Sequence, residues 1–247
     1  MFEFVDTHPD CNVSEAEYVR LLGYPKDRPL ADRARELADA AAEWFSKNGR
    51  PWIYARETET IRLSEDHFMI NDTAFSSRRL VEQFTVARVN TAILVAVSAG
   101  PECEEHAGQL WQDGRPDEYF FLEIFGSAVV EHLVTLANGR ICAWADANGK
   151  VALPHHSPGY SGWNMSAQLQ LWNVLRAAGN NALPGALTVL ESGMLRPKKS
   201  LIGLIGIASD TTTASGMARL VPCMTCALPG CQFRRAPFIR SRRPALS

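Results

Sequence analysis

Val189-Leu190-Glu191-Ser192-Gly193-Met194-Leu195-Arg196-Pro197-Lys198-Lys199-Ser200 runs straight into Leu201-Ile202-Gly203-Leu204-Ile205-Gly206. The apolar and branched residues read as strands near Leu187 to Ser192 and Leu201 to Ala208, and Pro197-Lys198-Lys199 between them reads as the turn of a hairpin-like unit. Glu191 and Ser192 interrupt the first apolar run. A carboxylate at the end of an apolar strand finds a partner, faces water or belongs to a site, because an unpaired buried charge is costly.

Outward from this unit, Thr91 to Ser98 is the clearest buried strand, and Pro51 to Arg56 and His67 to Asn71 read as shorter ones. Helical spacing of apolar residues recurs in Ala31 to Phe45, stopped by Asn48-Gly49, and in Ser77 to Arg88. It also recurs in Glu102 to Trp111, Tyr119 to Ala137 and Met165 to Ala178, the last with Leu169, Leu171, Trp172 and Leu175 on one face. Ser14-Glu15-Ala16-Glu17 has capping-box spacing and opens a short helix ending at Gly23. Asn138-Gly139 and Asn148-Gly149 read as breaks. Helices and strands kept apart in this way indicate an α+β fold.

The chain has 247 residues, 46% of them hydrophobic and 21% charged, enough for a full core in one large domain. A net charge of -2 gives no global reason to expect nucleic acid or an anionic membrane as partner. The apolar strands Ala92 to Ala99 and Leu201 to Ala208 are far shorter than the roughly 20 residues of a membrane-spanning helix. Met1 to Asp6 lacks the basic and apolar regions of a secretory signal, so a cytoplasmic protein is expected. After Asp210 the composition changes to cysteine, proline and arginine, dividing the chain into a domain over 1–210 and an appendage over 211–247.

His155-His156-Ser157-Pro158-Gly159-Tyr160-Ser161-Gly162-Trp163 is a loop that enters a helix. Pro158 presets φ and Gly159 permits close backbone approach, so the loop is either an ordinary turn or one presenting amides and an aromatic ring to a small nucleoside-like ligand.

Both segments resemble the activation-domain family of vitamin B12-dependent methionine synthase. That family has a Pro-Gly-Tyr loop before a helix, then a Thr-Glu-Ser stretch followed by Pro, Ser and Gly. Here these are Pro158-Gly159-Tyr160, then Leu190-Glu191-Ser192, Pro197, Ser200 and Gly203. Tyr18 to Tyr24 and Gly126 to Leu136 also look like stand-alone members. The resemblance implies a single α+β domain with a central twisted antiparallel sheet flanked by helices, holding S-adenosylmethionine in a shallow groove.

It further implies that cobalamin on a partner protein, a corrinoid-binding protein or methyltransferase, is reduced by a flavodoxin- or ferredoxin-type reductant and re-methylated from the sulfonium. The chain would be a component of this reactivation, in methionine biosynthesis, with no catalytic residue of its own. Its role is to position the reacting groups. The implied ligand-binding residues are His155, Ser157, Pro158, Gly159, Tyr160, Glu191 and Ser192, with Glu191 favouring the cationic end of S-adenosylmethionine.

Methionine synthase has an arginine a few residues before its Pro-Gly-Tyr, where this chain has His155, so bidentate carboxylate recognition is lost there. The cobalamin-binding Asp-x-His-x-x-Gly motif and the substrate barrels do not occur in these 247 residues, so a whole methionine synthase is not expected.

Cys223, Cys226 and Cys231 have Cys-x2-Cys-x4-Cys spacing, which lets three thiolates converge on zinc or an iron-sulfur cluster. A fourth ligand would come from Cys11, Cys103, Cys142, a histidine, a partner or an exogenous molecule; reduced, metal-free cysteines are the plain alternative. The arginines crowded from Arg234 to Arg243 read as a docking patch for an acidic partner or a solvated terminus. Phe233 and Phe238 are thin aromatic interleaving for nucleic acid. The second function class is thus a non-catalytic corrinoid- or metal-binding redox or assembly protein that retains the fold.

Overall fold

A computed structural model of the protein describes residues 1–25, 29–177 and 183–209. The appendage over 211–247 lies outside them, as do Cys223, Cys226 and Cys231. In chain order the elements are β1 (Glu3–Asp6), α1 (Glu15–Leu21), α2 (Asp32–Asn48), β2 (Trp52–Leu63), β3 (His67–Ile70), β4 (Thr73–Ser76), α3 (Arg78–Val86) and β5 (Val89–Ser98). There follow α4 (Pro101–Gln112), α5 (Pro116–Ala147), β6 (Val151–Ala152), α6 (Ala167–Ala177), β7 (Thr188–Val189), β8 (Leu195–Arg196) and β9 (Ser200–Ala208).

Seven strands form a curled antiparallel sheet in the order β4-β3-β2-β5-β9-β6, and β1 also pairs with β2. The long β2 carries two partners on one edge, β1 along Ile53 to Arg56 and β3 along Ile61 to Leu63, with β5 on the other. This is the expected α+β architecture with a central antiparallel sheet.

The two-residue period of the strands sorts their side chains between two cores. Ile93, Val95 and Val97 of β5 join Ile205 and Ile207 of β9 in the core beneath α1, α2, α4 and α5. Ala92, Leu94 and Ala96 join Leu204 and Ala208 in a second core with α3, α6 and the aromatic cluster of Phe68, Phe75 and Phe84. Burial on both faces explains why β5 and β9 are continuously apolar in sequence.

Several local expectations resolve differently. The hairpin joins β7 to β8, pairing Thr188 with Arg196 and Val189 with Leu195, while β9 leaves it to pair with β5 in the main sheet. Pro197-Lys198-Lys199 is therefore a connector between two sheets. Glu191 and Ser192 stand exposed at the hairpin tip, closed by Leu190 N–H to Met194 O and Gly193 N–H to Leu190 O, each 2.8 Å.

The Ser14 capping box does not form. Ser14 caps α1 with its carbonyl, which accepts from Glu17 and Tyr18, and Glu17 pairs with Arg20 at 2.5 Å. At the other end of α1, Gly23 adopts the left-handed conformation with bonds from Gly23 to Arg20 and from Tyr24 to Val19, the double closure of a Schellman turn.

Nor does Asn138-Gly139 break α5, which runs unbroken for 32 residues. Its continuous packing outweighs the low helix propensity of two residues. α5 is long and apolar enough to cross a membrane, yet Val129, Leu133, Ala137 and Ile141 are fully buried in the first core.

Two glycines of α5 sit in opposite surroundings. A Cβ on Gly126 would lie 2.8 Å from Cys103 Sγ and 3.1 Å from Lys199 Cγ, whereas one on Gly139 would meet nothing within 4 Å. Gly126→Ala is therefore expected to cost about 1–3 kcal/mol by overpacking, and Gly139→Ala to add about 0.5–1 kcal/mol from helix propensity. Urea midpoints of the two variants that shift in the same direction would contradict this assignment.

Candidate functional site

The site begins where the chain leaves β6. Leu153 N–H still bonds to Gly206 O, Pro154 has no N–H to give, and His156 rejoins β9 by exchanging two 2.8 Å bonds with Leu204. This approach requires glycine opposite: a Cβ on Gly203 would lie 2.6 Å from His156 O and 2.7 Å from Ser157 Oγ. The chain then turns out of the sheet at Ser157 and Pro158.

The following loop is closed on itself. Tyr160 N–H bonds to Ser157 O, Trp163 N–H to Tyr160 O, and Gly159 N–H to Trp163 O at 2.9 Å. Gly159 and Gly162 have φ of 92° and 87°, values that glycine adopts without strain. The Gly159 and Tyr160 amides are thus engaged within the loop.

Two anchors hold the loop from below. Trp163 is buried with its ring 5.8 Å from Phe68 and 6.0 Å from Phe75, and the N-terminus of α3 reaches across. Ser77 Oγ, which accepts the Leu80 amide as the helix cap, donates to Gly162 O at 2.6 Å, and Arg79 donates to Ser161 O at 3.2 Å.

Between this loop and the β7–β8 hairpin lies a groove of about 250 Å³. Ser157, Pro158 and Tyr160 form one wall, with Met165 and Gln168 at the start of α6. The other wall is Gly193, Met194 and Leu195, continued by Lys198, Ser200, Leu201 and Ile202 into β9. Met165 and Met194 are 50% and 60% exposed, so the rim is apolar and adaptable. Deeper in, Ser157 Oγ is buried without a hydrogen-bond partner, and Gln168 is also buried. The hydroxyl is an unpartnered polar group behind the groove wall, against the backbone of Gly203.

The groove brings together Ser157, Pro158 and Tyr160, with Gly159 exposed at the loop's outer turn. Glu191 and Ser192 lie outside its lining. His155 is half-buried behind the loop, with Nε2 3.1 Å from Tyr160 Oη and Nδ1 3.1 Å from Asn138 Nδ2 on α5. Met165, Gln168, Met194 and Lys198 escaped the sequence reading. Lys198 has a legible signal, a cation inside a resembling segment, although the Pro197-Lys198-Lys199 pattern by itself indicates only a turn.

A larger hollow of about 840 Å³ lies between Thr7 to Val13, the end of α2 and Phe125. Several of its polar side chains are engaged locally: Thr7 with His8, Asp10 with the Asn12 backbone amide, Ser46 with Glu43 O, and Arg50 with Asn48 O and Gly49 O. The smaller groove, with an orphaned hydroxyl and both resembling segments, is the better candidate.

Among the described residues no three His, Cys, Asp or Glu side chains are placed to hold a metal. Burial, chiefly, raises the Cys11 thiol to about 11 and the Cys103 thiol to about 12, and it also raises Cys142. Without a metal these three stay protonated thiols at neutral pH.

The fold and groove define an α+β protein with a shallow cleft beside an edge of its sheet. Among solved structures, it is similar to the MetH reactivation domain bound to AdoHcy, with a TM-score of 0.62 and 12% identity, over 85% of this chain and 80% of that one. No family model and no curated protein matches the sequence.

His156 carries a pH signature. Burial, then Arg79 and His155, hold its pKa down to about 3, against about 6.5 for an unfolded histidine. Between those values the unfolded chain binds a proton that the folded chain does not, so stability declines as pH falls below about 6.5. The slope is up to roughly 1.4 kcal/mol per pH unit, levelling near 3. His106, lowered by burial and by Arg115, acts in the same direction. Thermal midpoints are expected to drop from pH 7 to pH 5, with a clearly shallower drop in His156→Gln. Parallel curves for parent and variant would exclude His156 as the source.

Proposed function

We propose that the chain is a reactivation-type protein that holds S-adenosylmethionine, or its demethylated product S-adenosylhomocysteine, in the groove between the Pro158 loop and the β7–β8 hairpin. It would present this ligand to cobalamin on a partner methyltransferase, most naturally a split methionine synthase, with a flavodoxin- or ferredoxin-type protein supplying the electron. The observation that carries the reading is spatial. The two sequence segments that resemble the activation-domain family, distant in the chain, form the two walls of one groove, in a fold like that of an AdoHcy-bound reactivation domain.

The groove fits such a ligand in kind. Its rim offers thioether and aromatic surface to a nucleoside, the buried Ser157 hydroxyl and Gln168 amide offer hydrogen bonds, and its shallowness leaves one side of the ligand open to a partner. The protein contributes position and exclusion of water, while the methyl group's reactivity belongs to the ligand.

A second reading is a non-catalytic corrinoid- or metal-binding protein that retains the fold. One observation favours it: at the position of the family's arginine stands His155, whose ring nitrogens face Asn138 and Tyr160. Any metal on Cys223, Cys226 and Cys231 belongs to this reading too.

Isothermal titration is expected to show saturable binding of S-adenosylhomocysteine and S-adenosylmethionine, and none of free methionine. Met194→Trp, which fills the groove from an exposed position, should weaken binding at least tenfold with an unchanged thermal midpoint. Glu191→Gln, at the hairpin tip, should bind as the parent does. A folded parent protein that binds neither nucleoside would remove the reading in favour of the second.

A further inference from the structure

The charge in the groove is carried by one residue. Of the side chains that line it, Lys198 alone is ionised, and no carboxylate accompanies it there. Its position is fixed by the backbone, whose N–H donates to Glu104 Oε2 at 2.8 Å, while Pro197 before it is buried.

The ammonium itself is paired on the α5 side. Lys198 Nζ lies 2.9 Å from Glu123 Oε1, an ion-pair contact in which that oxygen lacks hydrogen-bond alignment, and 6.0 Å from the centre of the Tyr119 ring. The Lys198 side chain is 38% exposed but Glu123 only 12%, so the ammonium leaves this pair only where another anion receives it and Glu123 keeps a second cation. Burial opposes the charge on Lys198, but Glu123 more than offsets this and raises its pKa above the ordinary lysine value.

Lys199 supplies what such an exchange needs. Its Nζ sits 3.1 Å from Glu123 Oε2 and 2.9 Å from Ser127 Oγ, and its stem packs on Gly126 of α5. Glu123 therefore keeps a cationic partner when Lys198 turns away. Two adjacent lysines share one carboxylate, one tethered to α5 and the other bordering the groove.

Resting on the function proposed above, we infer that Lys198 is the groove's carboxylate receptor: its ammonium leaves Glu123 to bind the α-carboxylate of an amino-acid-bearing nucleoside whose base lies along the methionine rim. The cationic role that the resemblance places on the loop, at His155, is then filled from the opposite wall. An ammonium recognises the carboxylate as a point charge, without the bidentate geometry of a guanidinium.

The test is titration of parent, Lys198→Met and Lys198→Arg proteins with S-adenosylhomocysteine and with S-adenosyl-3-thiopropylamine, which differs only in lacking the carboxylate. The parent should prefer S-adenosylhomocysteine by roughly ten- to a hundredfold, the size of a charge-assisted contact. Lys198→Met should lose that preference while binding the decarboxylated compound like the parent, which also reports an intact groove. Lys198→Arg should keep most of the preference. A parent that binds both compounds equally, or a Lys198→Met protein that still discriminates, overturns the role of Lys198 and leaves the proposed function standing. A parent that binds neither overturns both.

Discussion

Gly203 has no side chain, and the distance between β9 and the strand beside it depends on that. A Cβ there would run into His156 O and Ser157 Oγ, so any larger residue forces the two backbones apart and breaks the bonds exchanged by His156 and Leu204. Those bonds fix where Pro158 leaves the sheet. They also fix its height relative to Ser200, Leu201 and Ile202, which enter β9 from the other wall of the groove. One strand pairing thus sets the register of both walls, and Ser157 is buried without a partner because the same approach turns its hydroxyl inward.

Each wall is tied to a different core. Below the loop, Trp163 sits in the aromatic cluster and the α3 cap reaches Gly162, so the loop moves only if that core moves. On the other side, Lys199 pins the connector between β8 and β9 to α5 through Ser127, Glu123 and the bare surface of Gly126. The backbone of the groove is held from both faces of the sheet, and adaptability is left to the thioethers of Met165 and Met194. Rigid backbone with a soft rim suits a site that must hold a ligand yet leave one face of it open.

Much of the fold was legible because burial leaves a periodic trace. Thr91 to Ser98 and Leu201 to Ala208 read correctly as buried strands since both sheet faces are covered, and the apolar stripe of α2 is the stripe that packs. Pairing was not legible: nothing local says that β9 joins β5 and leaves β7 to the short β8. Leu169 was placed on the inner face of α6, but it is exposed and Gln168 is buried in its stead. A helix beside a groove buries a polar residue that a purely apolar pattern counts as outside. Of the site, the steric residues Pro158, Gly159 and Gly203 were visible as resemblance. The polar ones depend on which way a turn faces: Glu191, a ligand residue only by resemblance, stands exposed at the hairpin tip, and Lys198 borders the groove.

At 12% identity the likeness to the MetH reactivation domain is one of fold. A sheet buried by alternating aliphatic residues tolerates wholesale substitution provided that volume and pattern persist, so its shape outlasts its sequence. Ligand chemistry has no such redundancy, since it rests on a few polar groups whose loss nothing averages out. What this chain shares with the family's motifs is mostly what shape demands: a proline, glycines where a Cβ would clash, and an aromatic residue on the loop. What differs is the residue at the position of the family's arginine, which here is His155, facing Asn138 and Tyr160. The connector after the hairpin places Lys198 along the other wall of the same groove. On the proposed reading, charge complementarity at this site is a property of the groove as a whole and can be supplied from either side without disturbing the strand pairing that shapes it.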